Sequence, residues 1–358
     1  MQHVQQSFFP TQQTRHYNVS FPSTRYQGSK RKLLEWIWTQ VADLEFDSVL
    51  DVFGGTGSVS HLFKTARKRI IYNDNLLFNW NIGLALIQNK KTRLSPDDVE
   101  LIMQENPDMT YPDFIARTFQ GIYFTDEENV WLDRVVYNID HVLTDPIKQA
   151  LARFALYQAC IVKRPYNLFH RANLYMRQAK VERSFGNKTT WDTPFETHFR
   201  AFVAEANAAV FDNGRQNVAL HQDALNAPTD ADLVYIDPPY ISAKGVGVDY
   251  HEFYHFLEGL TTYNTWPDQV DYSTKHRRMK RHASPWYRAD EILDAFAAVF
   301  ARYQQSILVV SYRNDGIPSK TDLIQLLKRY KKRVTEANKS QQYVLSKRHS
   351  KELLLIAT

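Results

Sequence analysis

Short apolar runs recur along the chain and predict the strands of a β-sheet. Each run holds five to seven residues, is rich in β-branched or aromatic side chains, and is bounded by polar or turn-forming residues. The predicted strands are Ser48–Val52, Arg69–Asn73, Asn217–His221, Asp232–Asp237, Ser306–Tyr312, Gln342–Ser346 and Glu352–Ala357. Helical patterns separate most of them, so we expect a mainly parallel sheet that is covered on both faces.

The link between the last two runs predicts their relative direction. Only Lys347–Lys351 joins them, and a crossover helix needs more residues than that, so we expect these two strands to be antiparallel. The whole pattern predicts an α/β fold, with a Rossmann-like seven-stranded mainly parallel sheet and a C-terminal antiparallel strand.

Helical patterns fill the long interval between the second and third predicted strands. One covers Pro96–Gln104, a second opens with a capping box at Thr125–Glu128, and a third covers Pro146–Ile161. Because no convincing series of strands appears between Asn79 and Asn213, we expect a mostly helical domain inserted into the α/β core.

The chain ahead of the first strand divides into a polar arm and a helix that begins at Ser29, a suitable N-cap. The predicted division is 1–24 for the arm, 25–78 and 214–358 for the core domain, and 79–213 for the inserted domain. A further segment, Ile241 to about Trp286, leaves the fourth strand. It is too long for an ordinary connection, and such segments are usually functional or mobile.

Composition narrows the class of protein. Hydrophobic residues make up 44% of the chain and charged residues 23%, as in packed globular proteins. A single cysteine, Cys160, excludes an internal disulfide and a cysteine-rich zinc site, and its apolar surroundings predict a small buried side chain. No apolar stretch approaches the ~20 residues of a membrane span, and the N-terminus lacks a signal peptide core. We therefore expect a cytoplasmic protein with no membrane partner.

Positive charge is concentrated in one segment. The net charge of the chain is +5, but residues 160–190 alone carry seven basic side chains and one acid. The rest of the chain is therefore close to neutral. A local positive field favours an anionic partner such as nucleic acid.

A glycine-rich segment connects the first predicted strand to the next helix. Residues 50–58 read LDVFGGTGS, and such glycines allow a tight turn and a close approach of the backbone to a ligand. A tight β–α turn without a ligand would use them as well. The dinucleotide pattern G-x-G-x-x-G is absent because Ser60 stands at its last position, and no Gly-Lys-Ser/Thr phosphate loop occurs, so NAD and ATP are disfavoured.

Asp74 ends the second predicted strand, 23 residues after Asp51. An acid about 20 residues beyond a glycine loop is suited to bind the ribose hydroxyls of a nucleoside ligand. Asp74 is also a suitable N-cap for the helix that begins near Leu76. The two roles are compatible.

The fourth predicted strand runs into Asp237-Pro238-Pro239-Tyr240. The prolines fix φ and remove two N–H donors, so the turn is stiff and its carbonyl groups face outward. Asp237 and the Pro238 carbonyl can accept hydrogen bonds from an amino group, and Tyr240 can stack on the ring that carries it. An enzyme that flips a base out of DNA needs these groups, whereas the alternative is an ordinary turn at the end of a strand.

These motifs resemble those of the adenine-N6-specific DNA methyltransferases of the α group, the DNA adenine methylase family. Residues 25–30 (RYQGSK) match the family's N-terminal cofactor motif, residues 53–57 (FGGTG) its glycine loop, and residues 237–240 its catalytic loop. The resemblance covers about 25–90 and 215–358.

The resemblance implies S-adenosylmethionine as cofactor. Tyr26 and Lys30 would contact its methionine end, Asp74 its ribose and Asp223 its adenine. The full set of implied cofactor-binding residues is Tyr26, Lys30, Asp51, Phe53, Gly55, Gly57, Asp74 and Asp223. The implied catalytic residues are Asp237, Pro238 and Tyr240. The mechanism is direct transfer to adenine N6, which needs no metal and no covalent nucleophile.

The resemblance also makes 79–213 a target-recognition domain for double-stranded DNA, although its specificity matches no known one. Basic residues interleaved with Asn and aromatics suit phosphate contacts and recognition of base edges, whereas a solvated basic face over an aromatic core would show the same pattern. The predicted DNA contacts in this domain are Lys163, Arg164, Asn167, Arg171, Arg183, Asn187 and Lys188. A separate basic run, 275–281, adds Arg277 and Arg278 as contacts to phosphates near the flipped base, and a disordered loop tip is the alternative for that run. Arg164 and Asn187 are the leading individual candidates.

Three alternatives remain open from the sequence. The same chemistry could act on RNA, although the N-terminal motif and the basic insertion favour DNA. It could act on cytosine N4, where Ser more often replaces the acid of the catalytic loop. A non-catalytic DNA-binding module would instead predict decay of the loop or the glycines, and both are intact. The resemblance implies a restriction–modification or host-methylation system, and a partner restriction endonuclease is left open.

Overall fold

A computed structural model describes residues 17–179, 188–341 and 350–358. In these ranges the strands are β1 (Ser48–Asp51), β2 (Arg69–Asp74), β3 (Val218–His221), β4 (Leu233–Ile236), β5 (Ile241–Ser242), β6 (Ile307–Arg313), β7 (Gly316–Ile317), β8 (Val334–Gln341) and β9 (Ser350–Ala357). The α-helices are α1 (Leu34–Val41), α2 (Ser58–Thr65), α3 (Leu77–Gly83), α4 (Pro96–Met103), α5 (Phe114–Thr118), α6 (Asp126–Val142), α7 (Pro146–Val162), α8 (Tyr175–Gln178), α9 (Lys188–Asp192), α10 (Phe195–Ala209), α11 (Tyr250–Thr261), α12 (Trp266–Gln269), α13 (Ile292–Arg302) and α14 (Lys320–Leu327).

Seven strands form the main sheet in the order β3-β2-β1-β4-β6-β9-β8. The five strands from β3 to β6 pair in parallel, and β9 pairs antiparallel with both β6 and β8. The predicted mainly parallel sheet with antiparallel pairing at its C-terminal end is confirmed. The run 342–346, predicted to be the sixth strand, lies outside the described residues, and the strand that precedes β9 in the described residues is β8.

The order of the strands reverses at β1. The chain moves outward from β1 to β2 and β3, and then returns to the other side of β1 for β4 and β6. Ligands of open α/β sheets bind at such a switch point, in the crevice beyond the carboxyl ends of the strands. The register pairs Asp51 with Tyr235, so the residues that follow β1 and β4 emerge side by side.

Alternating residues of the central strands pack into two hydrophobic clusters, one on each face of the sheet. Val49 and Tyr72 belong to the first, whereas Leu50 and Ile71 belong to the second. All four residues of β1 and of β4 are buried, as expected for parallel strands that are covered on both faces.

The helices of the predicted insertion share the first of these clusters with the sheet. Leu156 of α7 and Phe199 of α10 belong to the same cluster as Val49 of β1. In the described part of the insertion, 79–179 and 188–213, helices occur and strands do not. The boundaries at 79 and 213 stay predictions, because this shared core marks no break in packing.

Several helices begin at the residues that the sequence predicts. Ser29 caps the 3-10 helix Lys30–Leu33, which leads into α1. Thr125 forms a full capping box at the start of α6, and α4 and α7 begin at the predicted prolines. Cys160 is fully buried in α7. No helix in the described residues is long and apolar enough to span a membrane.

The segment after β4 differs from its predicted irregular course. It contains the 12-residue helix α11, capped by the side chain of Asp249. Its sequence, YHEFYHFLEGLT, is rich in aromatic and histidine residues of modest helix propensity. The helix is stabilised by packing against α3 and α7, with Tyr254, Phe256 and Leu257 buried.

Candidate active site

A cavity of about 540 Å³ opens at the carboxyl ends of β1, β2 and β4. Nine of the predicted site residues line it, namely Tyr26, Lys30, Asp51, Phe53, Gly55, Asp74, Asp237, Pro238 and Tyr240. The predicted residues thus converge from four separate stretches of sequence, as the switch point of the sheet requires. Their roles toward a ligand stay predictions.

The glycine segment forms the turn between β1 and α2. Gly55 and Gly57 have φ of +51° and +75°, and Gly57 is the N-cap of α2, so both use a conformation that favours glycine. Gly54 is required for a different reason, because a Cβ there would lie 2.1 Å from the ring of Tyr72. The backbone of this turn therefore runs directly along a buried ring.

Asp74 and Asp51 hold the glycine turn from two sides. One Asp74 oxygen accepts from the Gly55 N–H and the other from the Leu76 N–H, both at 2.9 Å. Asp74 was predicted to be the N-cap of the helix near Leu76, but the N-cap of α3 is Leu76 itself. Asp74 instead makes a turn contact with the N–H of Leu76, two residues further along the chain. Asp51 Oδ2 accepts from the Ser60 hydroxyl at 2.7 Å, whereas its buried Oδ1 has no hydrogen-bond partner within the protein.

Lys30 makes a buried ion pair with Asp237 at the centre of the cavity. Its Nζ lies 2.8 Å from Oδ1 and 2.7 Å from Oδ2 of Asp237 and donates to the Tyr240 hydroxyl at 2.7 Å. Burial opposes the charge of Lys30, but the carboxylates of Asp237 and Glu352 outweigh burial and raise its pKa. An ion pair thus joins the N-terminal motif to the catalytic loop, although Lys30 and Asp237 are 207 residues apart in sequence.

The Tyr240 hydroxyl lies between two carboxylates. It is 2.9 Å from Asp237 Oδ1 and 2.8 Å from Glu352 Oε1. The Tyr240 ring packs edge-on against Tyr312, and Lys30 Nζ lies 4.8 Å from its centre. The predicted stacking of Tyr240 on a base stays a prediction.

The cavity is strongly acidic. Among the lining residues in the described part of the chain, Asp51, Asp74, Asp237, Asp249 and Glu258 are acidic, and Lys30 is the single lysine or arginine. Burial raises the pKa of Asp237 to about 6, with Lys30 opposing this rise and Glu352 adding to it. Burial likewise raises the pKa of Asp51 and of Glu258 to about 7. Such a site favours a positively charged ligand, which would lower the cost of ionising these acids.

Three parallel tyrosine rings stack beside the cavity, and two of them, Tyr26 and Tyr250, line it. Tyr26 stacks on Tyr254 at 4.4 Å and on Tyr250 at 5.6 Å, each with an interplanar angle of 7°. The Tyr254 hydroxyl also accepts from the Gln27 N–H at 2.8 Å. This stack joins the N-terminal motif to α11.

Two predicted cofactor residues, Gly57 and Asp223, do not line the cavity. Gly57 lies in the adjoining turn as the N-cap of α2, whereas Asp223 lies apart. It is exposed, is not among the residues that line the cavity, and accepts from the Leu225 N–H at 2.9 Å. The chain turns sharply at Asp223, and this local hydrogen bond is the ordinary behaviour of Asp in a turn. Contact with a cofactor adenine is not supported by this position.

The structure corrects the predicted DNA surface at Lys163 and Arg164. Both residues are only 1% exposed. Lys163 Nζ lies 2.8 Å from Glu128 Oε1 and donates to the Trp191 carbonyl. Arg164 donates to three backbone carbonyls, those of Leu168, Tyr123 and Arg171. Their charges are satisfied inside the fold, so the prediction of DNA contact is wrong for these two residues.

The other predicted DNA contacts are placed differently. Arg171 and Lys188 are exposed, and Lys188 pairs with Asp192 one helical turn away. Asn167 is half-buried, with φ of +59°. Arg277 and Arg278 are half-buried, Arg277 against the exposed Tyr272 ring and Arg278 beside Glu252 and Asp271. The predictions for Arg183 and Asn187 fall on residues that lie outside the described ranges.

Sequence reasoning missed several side chains at the cavity. Tyr250 and Trp286 line it, and Glu258 caps α3 by accepting from the Leu77 and Phe78 N–H groups at 3.0 Å. Glu352 contacts Tyr240 of the catalytic loop. In the sequence it is the acid that begins the apolar run Glu352–Ala357. The other three gave no motif, because their positions depend on how α11 and the segment after it fold back.

Metal ligation has no candidate in the described ranges, 17–179, 188–341 and 350–358, where no group of three or more His, Cys, Asp and Glu could hold an ion. The acids of the cavity instead contact backbone N–H groups, hydroxyls and Lys30.

Comparison with known proteins identifies relatives along most of the chain. It is 28% identical over 342 residues to the type II methyltransferase M2.HphI of Haemophilus parahaemolyticus, covering 94% of this chain and 96% of that protein. It is 23% identical over 322 residues to the type II methyltransferase M.NlaIII of Neisseria lactamica, covering 86% and 88%. It is 23% identical over 321 residues to the modification methylase LlaI of Lactococcus lactis subsp. lactis, covering 86% of this chain but 49% of that protein.

A family model also matches residues 26–294, a span that contains the N-terminal motif, the glycine turn, the helical insertion and the catalytic loop. The matched span accounts for most of the chain. It also contains each of the cavity residues described above except Glu352. The chain therefore belongs to the D12 class of N6 adenine-specific DNA methyltransferases.

Proposed function

We propose that this site-specific DNA adenine methyltransferase takes the methyl group from S-adenosylmethionine and transfers it to an adenine flipped out of double-stranded DNA into the cavity. The observation that carries the proposal is the Asp237 carboxylate at the centre of an acidic cavity, beside the Pro238 carbonyl.

The acidity of the cavity supports S-adenosylmethionine as the donor. When bound, this cofactor supplies a methyl group on a positively charged sulfur. The excess of carboxylates over Lys30 suits a cation and disfavours a ligand that carries phosphates. The buried, unpartnered Oδ1 of Asp51 is an acceptor that a polar ligand can satisfy. Tyr26, Phe53, Gly55 and Asp74 would hold the rest of the cofactor.

Asp237 retains room for the adenine amino group. An ionised carboxylate offers about four acceptor positions. Lys30 and Tyr240 together occupy two on Oδ1, and Lys30 occupies one on Oδ2. One position on Oδ2 is thus open for an N6 hydrogen, and the Pro238 carbonyl can take the second.

These two acceptors would activate the adenine nitrogen. The N6 lone pair is delocalised into the ring, so N6 is a weak nucleophile while it is planar. Hydrogen bonds to Asp237 and Pro238 favour the pyramidal nitrogen, whose lone pair can attack the methyl group. The positive charge that develops on N6 is then stabilised by the Asp237 carboxylate.

The depth of the site supports base flipping. Asp237 is only 15% exposed, and the stacked bases of a duplex cannot bring N6 to a group so enclosed. Enzymes that act on such atoms extrude the nucleotide into a pocket. Among the predicted DNA contacts, the exposed Arg171 and Lys188 are suited to bind the phosphates that flank the flipped base.

The proposal is tested by incubating the protein with labelled S-adenosylmethionine and DNA, followed by digestion to nucleosides. Label in N6-methyladenine supports it. Label in N4-methylcytosine or only in RNA would overturn the adenine target, and no transfer despite DNA binding would favour a non-catalytic module. A modification role implies a partner restriction endonuclease with the same target, so methylated DNA should resist that enzyme.

The raised pKa of Asp237 predicts how activity depends on pH. Only the ionised carboxylate can accept from N6, and burial raises its pKa to about 6. We therefore expect kcat/KM for methyl transfer to be constant above pH 7 and to fall about tenfold per pH unit well below pH 6, since kcat/KM reports groups of the free enzyme. Initial rates between pH 5 and pH 8.5 measure this, and a flat profile would contradict the role of Asp237.

The close approach of Gly54 to Tyr72 predicts the effect of a single methyl group. Gly54→Ala would place its Cβ 2.1 Å from a fully buried ring, so the glycine turn must shift. We expect affinity for S-adenosylmethionine to fall about tenfold or more, because the neighbouring Gly55 backbone that would hold the cofactor moves with the turn; a tenfold loss corresponds to about 1.4 kcal/mol of binding free energy. Titration calorimetry measures the dissociation constant. Gly214→Ala is the control for a strained glycine replacement: its φ of +74° disfavours alanine, but its Cβ meets nothing within 4 Å and it does not line the cavity, so equal losses in both variants would refute the idea.

A further inference from the structure

Glu352 is a buried acid that the proposed reaction has not yet used. It lies on β9, is 1% exposed, and accepts from the Ser311 hydroxyl at 2.7 Å. Its Oε1 is also 2.8 Å from the Tyr240 hydroxyl and 3.5 Å from Lys30 Nζ. A carboxylate buried so fully is costly unless it is paired, and two of its partners belong to the cluster around Asp237.

Glu352 and Asp237 compete for the proton of the Tyr240 hydroxyl. The hydroxyl carries one proton, and its oxygen lies 2.9 Å from Asp237 Oδ1 and 2.8 Å from Glu352 Oε1. It can therefore donate fully to one carboxylate at a time. Lys30 approaches the same hydroxyl as a donor at 2.7 Å, so the Tyr240 oxygen is already an acceptor and its own proton must point to one of the acids.

We propose that Glu352 is a positioning residue that draws the Tyr240 hydroxyl proton toward itself, which relieves Asp237 Oδ1 of one donor in addition to the acceptor position that is open on Oδ2. This inference rests on the proposed function, in which Asp237 accepts from the adenine amino group. With the proton on the Glu352 side, Asp237 keeps more negative charge for the positive charge that develops on N6. Glu352 would touch neither substrate nor cofactor.

The competing explanation is that Glu352 only stabilises the sheet. Glutamine at this position keeps nearly the same shape and can still accept from Ser311, so a structural role predicts small changes in stability and none in the chemistry. A positioning role predicts changes in methyl transfer that depend on the Tyr240 hydroxyl. The two differ in the pH profile and in the coupling between residues.

Asp237 is surrounded by ionisable groups from several elements. They are Lys30 of the N-terminal 3-10 helix, Asp51 of β1, Tyr235 and Tyr240 next to Asp237 itself, Tyr250 of α11 and Glu352 of β9. Removing the charge of Glu352 takes away a repulsion that raises the pKa of Asp237, after burial has raised it and Lys30 has lowered it. The acid limb of the pH profile should therefore move to lower pH.

The test is methyl transfer by the full-length Glu352→Gln variant. We expect kcat on the pH plateau to fall about tenfold, as for loss of one buried charge-assisted hydrogen bond, while KM for S-adenosylmethionine changes less than about threefold. The acid limb should shift down in the same variant. Glu336→Gln is the matched control, because it removes an exposed carboxylate of neighbouring β8 that pairs with Lys320, and it should leave both quantities unchanged.

A double-mutant cycle shows whether the effect passes through Tyr240. In a Tyr240→Phe background the added Glu352→Gln change should lower kcat by less than about twofold, because the shared hydroxyl is gone. Ser311→Ala provides a second test if Glu352→Gln does not fold. It frees Glu352 from its other hydroxyl donor and should move the acid limb while Tyr240 and Asp237 remain intact.

The outcomes separate this inference from the function on which it rests. No methyl transfer by the unaltered protein would overturn both. Transfer by the unaltered protein, with an unshifted acid limb in Glu352→Gln or with fully additive losses in the cycle, would overturn the positioning role alone. A lower plateau, a down-shifted limb and non-additive losses together would establish it.

Discussion

Replacement of Asp237 by alanine is expected to lower kcat for methyl transfer by about 1000-fold, the upper range for removal of one preorganised electrostatic group from an active site. The variant loses the acceptor for adenine N6 and the charge that stabilises the developing cation. It also leaves Lys30 Nζ without the partner at 2.7 Å that balances its buried charge. Label transfer at saturating DNA and S-adenosylmethionine measures the loss.

The control for this variant is Asp230→Ala. Asp230 is 63% exposed and pairs with Arg69 at the opposite, amino-terminal side of the sheet, so its removal should leave kcat within twofold of the unaltered enzyme. DNA binding by Asp237→Ala should persist in a gel-shift assay. Survival of more than a tenth of the activity in Asp237→Ala would show that another group activates the adenine.

Replacement of Arg164 by alanine is expected to lower the free energy of unfolding by about 4 kcal/mol, in the range for breaking a buried hydrogen-bonded charge network. Three backbone carbonyls would lose a hydrogen bond, although the Tyr123 carbonyl keeps a longer one from Arg177 at 3.4 Å. The Tyr123 and Phe169 rings would lose the guanidinium that lies 4.3 and 5.3 Å from their centres. Urea unfolding measures the change.

Arg171→Ala is the matched control in the same segment. Its side chain is exposed, and its backbone carbonyl, the part that Arg164 contacts, remains. We expect a stability change within about 0.5 kcal/mol together with weaker binding of DNA and a shallower salt dependence. If Arg164→Ala keeps its stability and binds DNA more weakly, Arg164 contacts DNA as the sequence predicts.

The contrast between these two arginines shows where sequence reasoning stops. Both stand in a run of basic and aromatic residues, and both carry the same charge. Arg164 follows the buried helix α7 directly and its guanidinium turns inward between two rings, whereas Arg171 lies beyond the turn and faces solvent. Composition records that a segment is basic, but not which cations the backbone directs into the core.

The strands show which elements the sequence predicts well and which it does not. The predicted limits of β1, β2, β3, β4 and β6 agree with the structure to within one or two residues, because apolar runs between helices leave few other choices. Strand β8, the short strands β5 and β7, and helix α11 were not predicted. They depend on pairing with distant residues, such as Ile241 with Ile317, and tertiary contacts override weak local propensity.

The sequence by itself determined the α/β class, the glycine turn, the catalytic loop and the N-terminal motif, because each depends on local backbone chemistry or on a short pattern of side chains. Only the tertiary structure decided that Lys30 pairs with Asp237, that Glu352 joins them through Tyr240, and that Lys163 and Arg164 are internal. The physical reason is the sheet itself. Its switch point brings together the ends of strands that are far apart in the chain, and pairing and burial of charge depend on that geometry and not on distance along the sequence.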